Sequence, residues 1–248
     1  MEEGILITGA SGYLGTEFAT RSSRYVTNFK LTSSDSVDKD RVDDLNDFLK
    51  KEKGQSDWLH KSILDEDYQS AFHSFINDGT TKLNYAVISA GSPLIYKDYL
   101  DMDEGTIEKI FKINLTSQVN MINSVVKSML KSGYGRILFV SSNTVIWKGS
   151  RKNMFYYLGK QAVENYIKAI YFDLAKENVF INVLRPGLLE GGVSRNLSGY
   201  STDKFRDRMS LSPLKRAISA EEAVSFSLPL LFNNDVVSGQ FLGVTGGE

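Results

Sequence analysis

The 248-residue chain contains no cysteine, only two histidines and only four prolines. Without cysteine there is no disulfide, no thiol nucleophile and no thiolate-held metal. His60 and His73 are the sole imidazoles, and their spacing matches no zinc motif, which disfavours a histidine metal site and a Ser-His-Asp triad alike. Charge of one sign is missing too: the formal net charge is −1, so no global field recruits nucleic acid or an anionic membrane. No apolar run is long enough to span a bilayer, and no basic leader precedes Ile5, so a cytoplasmic location without a membrane partner is expected. Repeats, low-complexity tracts and linkers rich in Pro, Gly or Ser are absent as well, and residues 1–248 read as one domain.

What is present is an alternation. Short runs rich in β-branched and aromatic residues predict strands at Ile5–Thr8, Phe29–Thr32, Trp58–Ser62, Tyr85–Ser89, Arg136–Ser141, Val179–Leu184 and Gln240–Val244. Between them, helix-length stretches fall at Tyr13–Arg24, Asp40–Lys53, Glu66–Asn77, Gly105–Ser132, Phe155–Lys176 and Ala220–Phe232. Strand and helix in strict succession predict an α/β fold, a doubly wound parallel seven-stranded sheet with helices on both faces. Residues 187–213 are the least regular stretch, which suits a substrate lid.

The first predicted strand runs directly into Gly9-Ala10-Ser11-Gly12-Tyr13-Leu14-Gly15 and then into a helical pattern. Strand, glycine turn and helix N-terminus are the parts of a pyrophosphate site: glycines admit the phosphates close to the backbone, and unpaired N–H groups with the helix dipole stabilise their charge. The loop therefore points to a dinucleotide. A plain strand-to-helix turn also uses glycine, but the position at the first strand favours the binding role. One strand later, an acid would read the ribose 2′-hydroxyl of NAD. Here the end of the second strand falls at Ser33-Ser34, with Asp35 slightly late and Lys39 and Arg41 following, which leans towards NADP; solvated loop residues are the plain alternative.

Tyr156 and Lys160 stand four apart and share a helix face. An ammonium beside a phenol favours the phenolate and suits the pair to protonate a carbonyl oxygen or deprotonate an alcohol. With 12 tyrosines in the chain, chance supplies about one Tyr-x-x-x-Lys, and Tyr200 with Lys204 is a second match. Context favours the first pair. Gly135–Ser142 is a buried strand ending in two serines, and at the C-terminal end of a parallel strand Ser142 faces the ligand crevice. Its hydroxyl suits polarisation of a carbonyl, and Asn114 suits a water-holding role, with a bond to its own helix or the capping of a kink as the plain alternative.

In order, these marks resemble the short-chain dehydrogenase/reductase family in its compact single-domain form. The likeness rests on the glycine loop, Ser89-Ala90-Gly91, Asn114, Ser142, Tyr156, Lys160, Arg185-Pro186-Gly187 and the ending Ser238-Gly239-Gln240 to Gly246-Gly247. It implies a Rossmann fold and an NAD(P)-dependent enzyme acting on a small carbonyl or alcohol. Catalytic roles would fall to Asn114, Ser142, Tyr156 and Lys160. Cofactor contacts would come from Gly9, Ser11, Gly12, Tyr13, Leu14, Gly15, Ser33, Ser34, Ser62, Ala90, Gly91, Pro186, Gly187 and Leu189, besides Tyr156 and Lys160. The resemblance further implies a homo-oligomer, a dimer or tetramer that pairs Gly105–Ser132 and Phe155–Lys176.

Several positions depart from the family pattern. The second glycine is spaced as in the extended, sugar-nucleotide-modifying branch. Ser89 replaces an asparagine, Ser62 an aspartate near the adenine, and no threonine follows Pro186-Gly187. Ser142 precedes Tyr156 by one position more than is typical, which leaves Ser141 and Asn143 as fallbacks. Trp147, Lys148, Arg151 and Lys152 form a basic segment near the expected pocket and suggest an anionic or sugar-derived substrate, with a solvated basic loop as the plain alternative. Two other functions compete with carbonyl reduction: a sugar-nucleotide epimerase or dehydratase, and a dinucleotide-sensing regulator without turnover. The short C-terminus disfavours the first, and the retained Tyr/Lys pair disfavours the second.

Overall fold

The computed structural model describes residues 3–34, 39–93, 95–146, 150–192 and 201–247. Seven strands form one parallel sheet: β1 (Glu3–Thr8), β2 (Asn28–Ser33), β3 (Gln55–His60), β4 (Lys82–Ile88), β5 (Gly135–Val140), β6 (Val179–Pro186) and β7 (Phe241–Val244). Their order is β3-β2-β1-β4-β5-β6-β7, so the direction of winding reverses between β1 and β4. Alternate residues of each central strand face opposite layers. Ile5, Ile7, Val87, Leu138 and Val140 belong to one apolar cluster; Leu6, Ala86, Ile88, Ile137 and Phe139 belong to the other. That two-sided burial is why the strands read as short continuous apolar runs.

Helices α1 (Tyr13–Ser22) and α2 (Lys39–Lys51) cover the first face, joined by two late helices, α8 (Ala220–Ser227) and α9 (Pro229–Phe232). The second face carries α3 (Tyr68–Ile76), α5 (Ser117–Ser132) and α6 (Met154–Lys176). Among the described residues, two further α-helices are α4 (Glu104–Phe111), which leads into α5, and α7 (Thr202–Leu211).

The predicted helix Gly105–Ser132 is not continuous. Lys112–Thr116 form a π turn between α4 and α5, with the Ser117 N–H bonded five residues back to Lys112 O. The extra residue leaves carbonyls without their usual partners, and two side-chain amides take them up. Asn114 Nδ2 donates to Ile110 O at 2.9 Å, and Gln118 Nε2 donates to Ile113 O at 2.8 Å. Predicted helix Ala220–Phe232 is likewise divided, because Pro229 cannot donate into the ladder. Strand β3 begins three residues before its predicted start, paired with β2 from Gln55 to His60, so Ser62 lies beyond it. The supposed irregular lid contains α7, capped by Ser201 Oγ accepting from Lys204 N. Phe205 of α7 packs with Leu188 and Ala217 in a small separate cluster.

Two glycines make the first turn possible. Gly9 has φ +68°, and Gly15 of α1 lies so close beneath it that a Cβ would sit 2.1 Å from Gly9 O. Gly15→Ala is therefore expected to force α1 away from β1 at a cost of about 1–3 kcal/mol or more, read by urea unfolding. Gly105→Ala, where a Cβ meets nothing nearer than 3.6 Å in helix α4, is the matched control and should stabilise slightly.

Candidate active site

The glycine loop joins the C-terminal end of β1 to α1. Thr32 of β2 holds it, with Gly9 N donating to Thr32 Oγ1 and Ala10 N to Thr32 O. Gly12 is the exposed N-cap residue of α1, and no side chain caps this N-terminus or places an acid in its first turn. The N–H groups of Tyr13, Leu14 and Gly15 form that first turn, while Ser11 and Leu14 are buried. An uncapped, acid-free helix N-terminus beside a tight glycine turn fits a pyrophosphate.

The Tyr13 side chain turns elsewhere. Its hydroxyl accepts from Ala220 N at 3.3 Å, and its ring fills the space a Cβ on Gly191 would need, 2.7 Å away. The loop is thus joined to the first residues of the expected lid. Pro186 ends β6, Gly187 N donates to Val244 O, and Leu189 bridges to Ile218. Residues 193–200, including Tyr200 of the second Tyr/Lys match, lie outside the described residues.

At the end of β2, Ser33 Oγ and His60 Nδ1 are 2.6 Å apart, so that hydroxyl is engaged by β3. Ser34 is exposed just beyond, as are Lys39 and Arg41 at the start of α2, whereas Asp35 lies outside the described residues. Ser62 Oγ accepts from Leu64 N at 3.2 Å in a local turn.

Beyond β4, Ser89 N and Ala90 N both donate to Thr8 Oγ1, which ties this loop to β1. Gly91 follows, and a Cβ there would lie 3.0 Å from Lys160 Nζ and 3.2 Å from Asn114 Oδ1. Asn114 is fully buried in the π turn. Its Oδ1 accepts from Ser92 N at 3.1 Å, and its Nδ2 donates to Ser92 O at 2.5 Å as well as to Ile110 O. Both ends of its amide are therefore committed to backbone.

Lys160 is buried in α6, donates from Nζ to Val140 O at 2.9 Å, and sits 4.8 Å from the Phe139 ring centre. Its ammonium is 6.0 Å from the Tyr156 ring centre. Burial pushes the lysine down to about 7, against which Glu164 holds it up. Burial pushes the Tyr156 hydroxyl up to about 12, while its hydrogen bond with Ser142 draws it down. Ser142 Oγ also accepts from Thr144 N and lies 3.0 Å from Thr144 Oγ1. Tyr156, Lys160, Ser142 and Asn114 are brought together above the ends of β4 and β5.

Neither fallback serine neighbour shares that position. Ser141 Oγ donates to Glu164 Oε1 at 2.6 Å, and Asn143 is buried in a 3-10 turn. Of the basic segment, Arg151 pairs with Asp98 and lies over Tyr99, and Lys152 lies 5.8 Å from the Tyr96 ring centre. Lys204 of α7 approaches the same ring at 5.4 Å. Trp147 and Lys148 lie outside the described residues. Sequence reasoning did not single out Glu164 or its partner Arg185, although Glu164 follows Lys160 by one helical turn. Among the described residues there is no cluster of three or more potential metal ligands, and no helix is long and apolar enough to cross a membrane.

Comparison with known proteins finds relatives over nearly the whole chain. The 3-oxoacyl-[acyl-carrier-protein] reductase FabG of Buchnera aphidicola subsp. Schizaphis graminum is 29% identical over 247 residues, 98% of this chain and 95% of that protein. Versicolorin reductase 1 of Aspergillus parasiticus is 26% identical over 174 residues, 65% of each. Among solved structures, an NADP-bound 3-oxoacyl (acyl-carrier-protein) reductase from Agrobacterium tumefaciens C58 superposes with a TM-score of 0.86 at 20% identity, over 99% of this chain and 94% of that one. NAD+-bound xylitol dehydrogenase superposes at 0.84 with 19% identity, over 99% and 98%. The family described as short chain dehydrogenase matches residues 3–199. On a match across that much of its length, the chain belongs to the short-chain dehydrogenase family of NAD(P)-dependent oxidoreductases.

Proposed function

We propose that this enzyme reduces a ketone to an alcohol, or runs the reverse reaction, with Tyr156 as the acid/base. The observation that carries this reading is the convergence of a tyrosine hydroxyl, a buried lysine ammonium and a serine hydroxyl on the sheet edge that also bears the uncapped α1 N-terminus. When bound, a nicotinamide supplies or accepts the hydride. The proton falls to the chain. With its hydroxyl held up at about 12, Tyr156 keeps a proton at neutral pH and can donate it to a carbonyl oxygen as charge develops there. Ser142 offers that oxygen a second donor, and the Lys160 cation favours the phenolate that proton donation leaves behind. Asn114 holds the π turn beside Lys160 in a single geometry and supports the path of the proton. The intact Tyr156–Lys160 pair speaks against a sensor without turnover, and no observation favours the epimerase or dehydratase reading.

The proposed cofactor form is NADP(H). Its support is the end of β2, where Ser33 and Ser34 stand in place of a ribose-binding acid and Lys39 and Arg41 are exposed nearby. The proposed substrate carries an anionic group, because ammonium groups from α7 and from the segment before α6 both approach the Tyr96 ring. A homo-oligomer through α5 and α6 is also proposed. Leu158 and Phe172, 38% and 65% exposed, lie with Ala162, Asn165 and Ala169 at heptad spacing along α6.

Tyr156→Phe is expected to lower kcat by about 100-fold or more while NADPH affinity stays within about twofold. Unchanged turnover would rule out the mechanism. In a fluorescence titration NADPH should bind more tightly than NADH, and Lys39→Ala with Arg41→Ala should remove the difference. Equal affinities in the unaltered enzyme would overturn the cofactor assignment. Exposed ion pairs contribute up to about 1 kcal/mol each. Lys152→Ala with Lys204→Ala should therefore raise KM about tenfold for ketones bearing a phosphate or carboxylate. Neutral ketones should be unaffected, and equal effects on both classes would dismiss the anionic substrate.

A further inference from the structure

Lys160 shares its face of α6 with a second buried ionisable group. Glu164, one turn further on, is 2% exposed. Its Oε1 accepts from Ser141 Oγ at 2.6 Å and from Arg185 Nε at 2.9 Å, and its Oε2 accepts from Arg185 Nη2. The Arg185 guanidinium is stacked 4.7 Å from the Phe241 ring centre, which fixes it between β6 and β7. Ser141 N in turn donates to Leu184 O. One carboxylate therefore joins α6 to the residue after β5 and to β6, adjacent to Val140 O, the acceptor of Lys160, and to Ser142.

Three hydrogen bonds from an arginine fork and a serine hydroxyl hold this buried carboxylate in a single geometry. The charged or titratable groups that face Lys160 are few. Tyr156 and Glu164 come from its own helix, and Arg185 of β6 stands behind Glu164. From the other elements packed on it, Lys160 meets Val140 O and Phe139 of β5, Asn114 of the π turn and Gly91 of the loop after β4, none of them charged. Among the described residues, Glu164 is thus the negative charge set against the desolvation of this ammonium.

We propose that Glu164, clamped by Arg185 and Ser141, is a positioning residue that keeps Lys160 charged and fixes the end of β5 on which Ser142 and Val140 O depend. This rests on the reading of Tyr156 and Lys160 as the proton-transfer pair. It adds the group through which that pair is held in its working state, and Glu164 acts only through others. An arginine of β6 is thereby linked to the acid/base chemistry although it meets neither Tyr156 nor Lys160 directly.

The test is a titration of Lys160 in the full-length protein labelled with 13C at lysine Cε, with the signal assigned by Lys160→Arg. Glu164→Gln should lower the Lys160 midpoint by about one unit, so that the charged fraction at pH 7 falls from about a half to about a tenth. Glu164→Asp should restore most of it. Removing one partner of a buried pair is strongly destabilising, so Glu164→Gln combined with Arg185→Met, which removes both charges, is the variant to use if the single change does not fold. A Lys160 midpoint unchanged in a folded variant overturns the proposal. A lowered midpoint accompanied by an equal fractional loss of kcat at pH 7 supports it. A lowered midpoint with unchanged turnover upholds the hold of Glu164 on the lysine and overturns the Tyr156–Lys160 reading instead.

Discussion

Thr8 and Gly9 meet Ser89 and Ala90 where the strand order reverses, and the functional edge of the sheet is arranged around that meeting. Thr8 Oγ1 accepts two successive backbone N–H groups from the β4 loop. Gly9 passes so close that a Cβ on it would sit 3.0 Å from Ala90 Cα. From this point the chain departs in two directions, into α1 on one face and towards α4 and α5 on the other. The divergence opens the crevice in which doubly wound sheets hold their ligands. The glycine loop forms one wall, and Gly91, Asn114 and Lys160 meet at the other. Any slip of β1 against β4 would separate the glycine loop from Gly91, Asn114 and Lys160.

The strand alternation and the glycine turn were legible because two-sided burial and a close strand-to-helix approach both restrict residue type directly. Tyr156 and Lys160 were legible from helical spacing together with the serine-ending strand upstream. The π turn at Lys112–Thr116 was not, since one added residue barely disturbs an apolar period and Asn114 looks like an ordinary helical amide. Its signature lies in Asn114 and Gln118, two amides four apart that each replace a lost ladder donor. Helix α7 escaped notice because it buries little beyond Phe205, leaving no periodic stripe to read. The limit of β3 was misjudged because Trp58 drew the eye, whereas the partner strand fixes the register from Gln55. Ser141 and Ser142 are chemically alike in sequence. Alternation along the strand separates them, turning one to Glu164 and the other to Tyr156.

Three cationic side chains are buried or nearly so, and their surroundings differ in kind. Lys30 meets Asp57 and Asp78, and Arg136 is sandwiched between Tyr134 and Phe180 while bonding Asn178, Asn234 and Asp235. Each offsets its desolvation with several local partners, the pattern of a structural pin. Lys160 has one backbone acceptor and a carboxylate a turn away, and burial draws it down to about 7. Burial without full compensation leaves a group responsive to small changes in its surroundings, which a proton-handling residue requires.

The Tyr13 ring, wedged against Gly191 and Gly192, has a consequence for how such a sequence can vary. Gly191 has no room for a side chain while Tyr13 keeps its ring, and Gly192 combines the same neighbour with a φ of +82°. Tyr13 is distant in the chain from this glycine pair yet shares one volume with it, so substitutions at the two places are not independent. The tyrosine in the glycine loop is thus compatible with glycine at position 191, where its ring leaves no room for a Cβ. A change of bulk in one segment therefore constrains what the other can carry.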